Sequence, residues 1–376
     1  MTTNSYRQER DSIIRQFENL RDFSWNEQLN GQFALAGANL SNFLPGIDES
    51  FHAALFAGIL MHRKLSILEQ GRPEALEHLS TEGLDDALAA RLSSEPCIIC
   101  TFHTGSYRIL NVFLGRAGIP FALVAGNAII KKEGSELNRI FRECTGHDLP
   151  LINASDPRSV IRMMRELRQG RSLLFYIDGN TGSGEATREN NNSCIVPFLA
   201  GQLHARQGIA VLAGHAGVLV QPVVCYRPDL ENIRLKFFGP VHPAGKGDSS
   251  NAAALTRHLY QLAEPLISLY PEQWEAWLYL HKSAVIDQPG PSGTAVNIAE
   301  TRYQLDRNSF SLLTVGKKHF LMRKNTYSSF EIGEDLYNLL DRSTAHPIVA
   351  DDQEKRVITQ LLQENVLIKF KKNCRT

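Results

Sequence analysis

No charge of one sign dominates this chain. Its 376 residues hold 40 Lys and Arg against 40 Asp and Glu. That balance excludes binding to nucleic acid through net charge, so any basic surface has to be local. Long apolar runs are also missing. The longest, Ala53 to Met61, falls well short of the ~20 residues that cross a bilayer. The N-terminal stretch MTTNSYRQERDSIIRQFENLRDF is polar and has no apolar centre of the signal-peptide kind. A soluble, cytoplasmic protein is expected, with peripheral contact at the inner face of a membrane as the only membrane association left open.

Cysteine is sparse: Cys97, Cys100, Cys144, Cys194, Cys225 and Cys374 are scattered, and no disulfide framework is expected. Cys97 and Cys100 make a C-x-x-C, but their β-forming neighbours in PCIICTFH put it on a strand. A redox pair belongs at a helix N-terminus. No second pair or histidine cluster supplies zinc ligands, so buried thiols are the reading. The glycine-rich run Asp178 to Gly184 lacks a G-K-[ST] ending and G-x-G-x-x-G spacing, which argues against a nucleotide site. No metal or cofactor is expected.

Hydrophobic periodicity is plentiful. Residues 1 to about 94 carry apolar positions at helical spacing, as in Ile13, Ile14, Phe17 and Leu20. From Pro96 the pattern alternates. CIICTF, FALVAG, LPLIN, SLLFYID and VLVQPVVCYR read as strands, separated by helical stretches such as SYRILNVFLGRAG, PRSVIRMMRELRQG and ARQGIAVLAGHAG. This predicts an α/β fold with a mostly parallel sheet flanked by helices, with functional loops along the edge where strands end. The loops after Phe102 and after Asp178 both lie there. Residues 283–300, rich in Pro, Gly, Ser and Ala, read as a linker. It separates a 1–282 domain, with its helical N-terminal part, from a 301–376 module. That module shows two strands joined across Gly316 and then two helices, a small winged-helix-like arrangement.

The most informative stretch is Thr101-Phe102-His103-Thr104-Gly105-Ser106-Tyr107-Arg108. A histidine directly after a buried strand can serve as general base, since its pKa lies near neutrality. It can equally cap a helix or fill a core. Arg108, near the positive end of a helix, suits a phosphate or carboxylate partner. Arg206 near a helix start suits an anionic donor group. His215 reads as a helix end, and Trp274 with Trp277 as core packing.

These residues fall in a pattern. His103 to Arg108 take the place of an H-x-x-x-x-D/E signature after a strand, with Arg108 at the acid position. RELRQGRSLLFYIDGNTGSG, CIVPFLAGQLHARQGIAVLAGHAGVLVQPVVCYR and PEQWEAWLYLHK follow in order. Over residues 1–282 the chain resembles the lysophospholipid acyltransferase superfamily, nearest its lipid A late-acyltransferase (lauroyl/myristoyl) branch. The resemblance implies acyl or aminoacyl transfer from an acyl or peptidyl carrier protein, or from a coenzyme A thioester. The acceptor would be a hydroxyl or amine on a small molecule or peptide. His103 would be the base and Asp178 a catalytic carboxylate, with Ser106, Arg108, Asn180 and Arg206 binding substrate.

The family's acid does not carry over, because Arg108 stands in its place. Three accounts follow. Asp178, or next Glu185, supplies the orienting charge; His103 acts alone on an amine; or the fold is catalytically degenerate and only binds a peptide or carrier. An acidic carrier would need a local basic face, for which Arg116, Lys131, Lys132 and Arg139 are candidates. The module at 301–370 weakly resembles PqqD-like domains, which implies peptide binding by strand addition.

Overall fold

The computed structural model describes residues 3–179, 192–243, 249–286, 302–349 and 354–370. They divide into two compact units: Met1–Leu20 with Ala54–Val285, and Arg21–Ala53 with Ile286–Thr376. Three helices come first: α1 (Thr3–Glu18), α2 (Glu27–Phe43) and α3 (His52–Gln70). Strands and helices then alternate as β1 (Leu79–Glu82), α4 (Asp86–Ser94), β2 (Ile98–Thr101), α5 (Ile109–Arg116), β3 (Phe121–Ala125) and α6 (Asn127–Thr145). The series continues with β4 (Leu151–Asn153), α7 (Ser159–Arg168), β5 (Ser172–Tyr176), β6 (Ser193–Phe198) and β7 (Gly201–Arg206). The first unit ends through α8 (Gly208–Ala216), β8 (Val220–Tyr226), β9 (Ile233–Phe237) and α9 (Ser249–Leu269).

Seven of these strands form one sheet in the order β1-β9-β8-β2-β5-β3-β4. β8, β2, β5, β3 and β4 run parallel, β9 turns back against β8, and β1 follows β9. This is the α/β architecture expected. The central strands are continuous apolar runs because both faces are covered. Ile99 and Leu174 face α5 and α6 through Leu110, Leu114, Leu137 and Phe141. Ile98 and Leu173 face the other way, onto Met163 and Leu167 of α7, Ala210 and Ala213 of α8, and Leu259 of α9. The two cysteines of the C-x-x-C are buried, and burial pushes the Cys97 thiol up to about 11. Parallel strands bring the segments after β2, β4, β5 and β8 to one sheet edge, where the chemistry collects.

Three local expectations need correction. CIVPFLAGQLHAR, given no strand in the sequence pattern, is the antiparallel hairpin β6–β7, closed where Phe198 pairs with Gly201. Leu199 sits in the left-handed region at φ 52. Pro197 disfavours a strand, yet a strand with only one partner tolerates proline. β1 and β9 were not anticipated. The helix after His103 starts at Ile109, not Ser106.

The second unit holds β10 (Arg302–Leu305), β11 (Phe310–Val315), β12 (Lys318–Arg323), β13 (Ser328–Ile332), α10 (Glu334–Ala345), β14 (Ile348–Val349), α11 (Lys355–Gln363) and β15 (Leu367–Lys369). Two three-stranded antiparallel sheets, β11-β12-β13 and β14-β10-β15, enclose a core of Tyr303, Leu321, Leu340 and Ile358. The hairpin across Gly316 is present, with Val315 opposite Lys318. Helix α2 belongs to this unit, whereas the sequence pointed to a single domain over 1–282. The reason is a small-residue face: Ala34 and Ala38 bury against Met322, and Tyr327 donates to Asn39 Oδ1 at 2.8 Å. Most of the expected linker lies outside the described residues.

Candidate active site

The segment after β2 is pinned from two sides. Gly105 N–H donates to Gln273 O and Glu275 N–H to His103 O, both at 2.9 Å, so the PEQWE segment pairs with the histidine loop. The Thr104 hydroxyl donates to Cys225 O on β8 at 2.7 Å. Gly105 has φ +54, and a Cβ there would lie 3.0 Å from Tyr226 Cα. The tight turn that presents His103 therefore requires glycine two residues later.

His103 and Asp178 meet although 75 positions separate them, because β2 and β5 are neighbours in the sheet. His103 Nδ1 lies 2.7 Å from Asp178 Oδ1. Asp178 Oδ2 accepts from the His103 backbone N–H at 2.9 Å and from the Trp274 indole at 2.7 Å. The Asp178 side chain is 2% exposed and that of His103 21%. A carboxylate accepts, so Nδ1 carries the proton and Nε2 keeps its lone pair. Burial works against a charged imidazole here, but the Asp178 charge and hydrogen bond outweigh it. Glu275 adds to them and Arg108 opposes, leaving the His103 pKa raised above its ordinary 6.5.

Aromatic rings box the imidazole. Tyr107 and Tyr176 each stand 4.8 Å away by ring centroids. The Tyr107 hydroxyl donates to Glu275 Oε2 at 2.9 Å, and Arg63 pairs with the same carboxylate at 3.2 Å.

The Arg108 guanidinium, read from the sequence as a phosphate or carboxylate binder, is engaged by the protein itself. Nη1 pairs with Glu133 of α6 at 2.9 Å, Nε reaches the Tyr107 hydroxyl at 3.3 Å, and the group stands 5.5 Å over the Tyr107 ring. Its carboxylate partner is the protein's own. Ser106, read from the sequence as a substrate residue, lies inside the fold. It is fully buried, its hydroxyl donates to Glu69 Oε2, and it accepts from Arg227 Nε at 3.1 Å. Arg227 and Glu69 form an ion pair with no exposure on either side, joined by the Tyr6 hydroxyl at 3.0 Å.

Arg206 lines a small cavity with His204, Lys282, Tyr260, Tyr279, Trp274 and Asp178. His215 ends α8 and bonds Val211 O at 2.8 Å, in keeping with a helix terminus. Asn180 and Glu185 lie outside the described residues. Arg139 is paired with Glu136 and Glu143, so its charge is answered, whereas Arg116 donates to the Cys144 carbonyl.

Trp274 and Trp277 are fully buried as expected, but they sit among short 3₁₀ turns and not on one α-helical face. Trp274 also bonds the Asp178 carboxylate, which apolar patterning did not reveal. Glu275, Glu69 and Arg227 were missed too. Only Glu275 and Trp274 had a sequence signal, through the PEQW motif.

The model of the bacterial lipid A biosynthesis acyltransferase family matches residues 47–283, a span that includes all four motifs. Among solved structures, the chain is similar to the 1-acyl-sn-glycerophosphate (LPA) acyltransferase PlsC from Thermotoga maritima. Identity is 14% and the TM-score 0.33, over 66% of this chain and 97% of that one. Comparison with curated proteins returns no match.

Proposed function

Because the chain belongs to the bacterial lipid A biosynthesis acyltransferase family, we propose that it moves an acyl or aminoacyl group from a carrier-protein or coenzyme A thioester to a hydroxyl or amine, with His103 as base and Asp178 as its acid partner. It is an acyltransferase, and acyl transfer in lipid biosynthesis is its reaction class. The observation carrying the finer reading is the 2.7 Å contact between His103 Nδ1 and Asp178 Oδ1. It supplies, from the segment after β5, the charge that position 108 lacks.

The chemistry follows from the tautomer. Nδ1–H donates to Asp178, and Nε2 takes the proton of the acceptor hydroxyl or amine as its O or N attacks the thioester carbonyl. A C–O or C–N bond forms and the C–S bond breaks. The imidazolium then returns its proton to the leaving thiolate. Asp178 stabilises the imidazolium between these steps. Arg206 and Lys282, in the cavity beside Asp178, suit an anionic part of the donor or acceptor. Among the described residues no helix is long and apolar enough to cross a membrane. The acceptor is read as an intermediate of specialised-metabolite or lipid biosynthesis.

The test is thioester consumption from a dodecanoyl-loaded acyl carrier protein and from dodecanoyl-coenzyme A. His103→Ala is expected to slow transfer about 100–10,000-fold with the fold intact by circular dichroism. Equal turnover by the variant would remove His103 from the chemistry. The base works only when neutral, and its pKa is raised, so the acid limb of the wild-type pH–rate profile is expected above 6.5.

Arg108 gives a separate expectation. Arg108→Glu places a carboxylate against Glu133, and His103 Nδ1 already has its acceptor. The glutamate variant should therefore unfold at lower urea than Arg108→Ala and transfer no faster than wild type. A rate above wild type would show that the dyad needs its acid at position 108.

A further inference from the structure

The exposed face of α7 carries a cluster of arginines, most of them without a carboxylate partner among the described residues. Ser159, Met163 and Leu167 turn inward onto the sheet. Outward stand Arg158, Arg162, Arg165 and Arg168, together with Val160 and Ile161 at 58% and 64% exposure. Over residues 156–171 five arginines face only two carboxylates, Asp156 and Glu166. Asp156 pairs with Arg162 at 3.4 Å and Glu166 with Arg171 at 2.6 Å. Arg158, Arg165 and Arg168 have no carboxylate within ion-pair distance among the described residues. Arg158 sits at the N-cap, where the helix dipole disfavours a cation, so local stability gives no reason for it. Aliphatic side chains as exposed as Val160 and Ile161, ringed by arginine, form the pattern of an interface core with a charged rim.

Topology places this face within reach of the chemistry. The α7 N-terminus follows β4, whose carboxyl end lies on the same sheet edge as those of β2 and β5. With strands about 4.8 Å apart, β4 stands roughly 10 Å from β5 and roughly 14 Å from β2. We propose that the outward face of α7 is the docking surface for an acidic acyl carrier protein, its arginines pairing with the carrier's carboxylates and Val160 and Ile161 covered at the centre. The proposal rests on the thioester-donor reading above. Charge complementarity selects this occupant, and all-arginine composition favours carboxylate recognition by the planar fork. The α6 face holding Lys131, Lys132 and Arg139 is the weaker candidate, because Glu133, Glu136 and Glu143 lie on the same helix.

The test uses the full chain. Arg158→Glu with Arg165→Glu should weaken binding of unacylated holo acyl carrier protein about tenfold or more by isothermal titration. The same variant should raise KM for the dodecanoyl carrier equally, and leave kcat and the KM for dodecanoyl-coenzyme A unchanged. Arg158→Gln with Arg165→Gln, milder for the helix, should show a smaller change of the same sign. Unchanged carrier affinity in both variants overturns the proposal. So does unchanged carrier affinity combined with lost binding to phosphatidylglycerol vesicles, which would make this face a membrane surface. If wild type turns over neither donor, the reaction reading fails, and the carrier titration still decides the docking face.

Discussion

Asp178→Asn is expected to lower kcat for acyl transfer about 1,000–10,000-fold while leaving donor KM within a few-fold. The cause is a tautomer. In the wild type Oδ2 accepts from the Trp274 indole and the His103 backbone, and Oδ1 accepts from Nδ1. Asparagine keeps the first set by placing its oxygen at the Oδ2 position. Its NH₂ then faces Nδ1, which must accept, so the ring proton moves to Nε2. The atom that should take the acceptor's proton is now occupied. Loss of the negative charge also lowers the His103 pKa, so the residual acid limb should move to lower pH. Single-turnover kinetics across pH measure both effects. A loss of less than about tenfold would mean that Asp178 is a structural partner of the loop and not of the reaction.

The largest stability effect is expected beneath the same loop. Glu69→Ala removes the counter-charge of Arg227, which has no solvent exposure, and leaves the Ser106 hydroxyl without its acceptor. An uncompensated buried charge costs about 3–5 kcal/mol. Urea denaturation followed by circular dichroism should show the midpoint fall accordingly. Glu69→Leu combined with Arg227→Met should recover much of the loss, because replacing both charges by apolar groups is often neutral or better. A double variant no more stable than Glu69→Ala would show that the pair does more than cancel its own burial cost. Ser106 lies three residues from His103, so whichever variant folds should also report on placement of the base.

The site was legible where it depends on local pattern, and hidden where it depends on distant pairing. A buried strand followed by His103 and Gly105 marks a loop at a sheet edge, and alternating strands and helices place Asp178 on that same edge. The replaced acid was visible as Arg108, and Asp178 was among its possible substitutes. Which substitute acts is a question of side-chain geometry across two strands, and no spacing rule answers it. Trp274 read as core because an indole in an apolar segment usually is core. Its single polar atom makes it part of the site. Glu69 gave no signal, since one carboxylate on a long helix looks like a solvated residue until Arg227 is found against it. The grouping of helix α2 with the second unit was hidden for a similar reason. Its alanine face fits many partners, and only Met322 and Tyr327 show which one it has.

The most direct measurement of the central claim, that Asp178 replaces the missing acid at position 108, is ¹⁵N NMR of the His103 imidazole through a pH titration of the full chain. The expected result is a pKa above 6.5, with the proton of the neutral ring on Nδ1 and Nε2 free. A pKa at or below 6.5, or a neutral ring protonated on Nε2, would contradict the account.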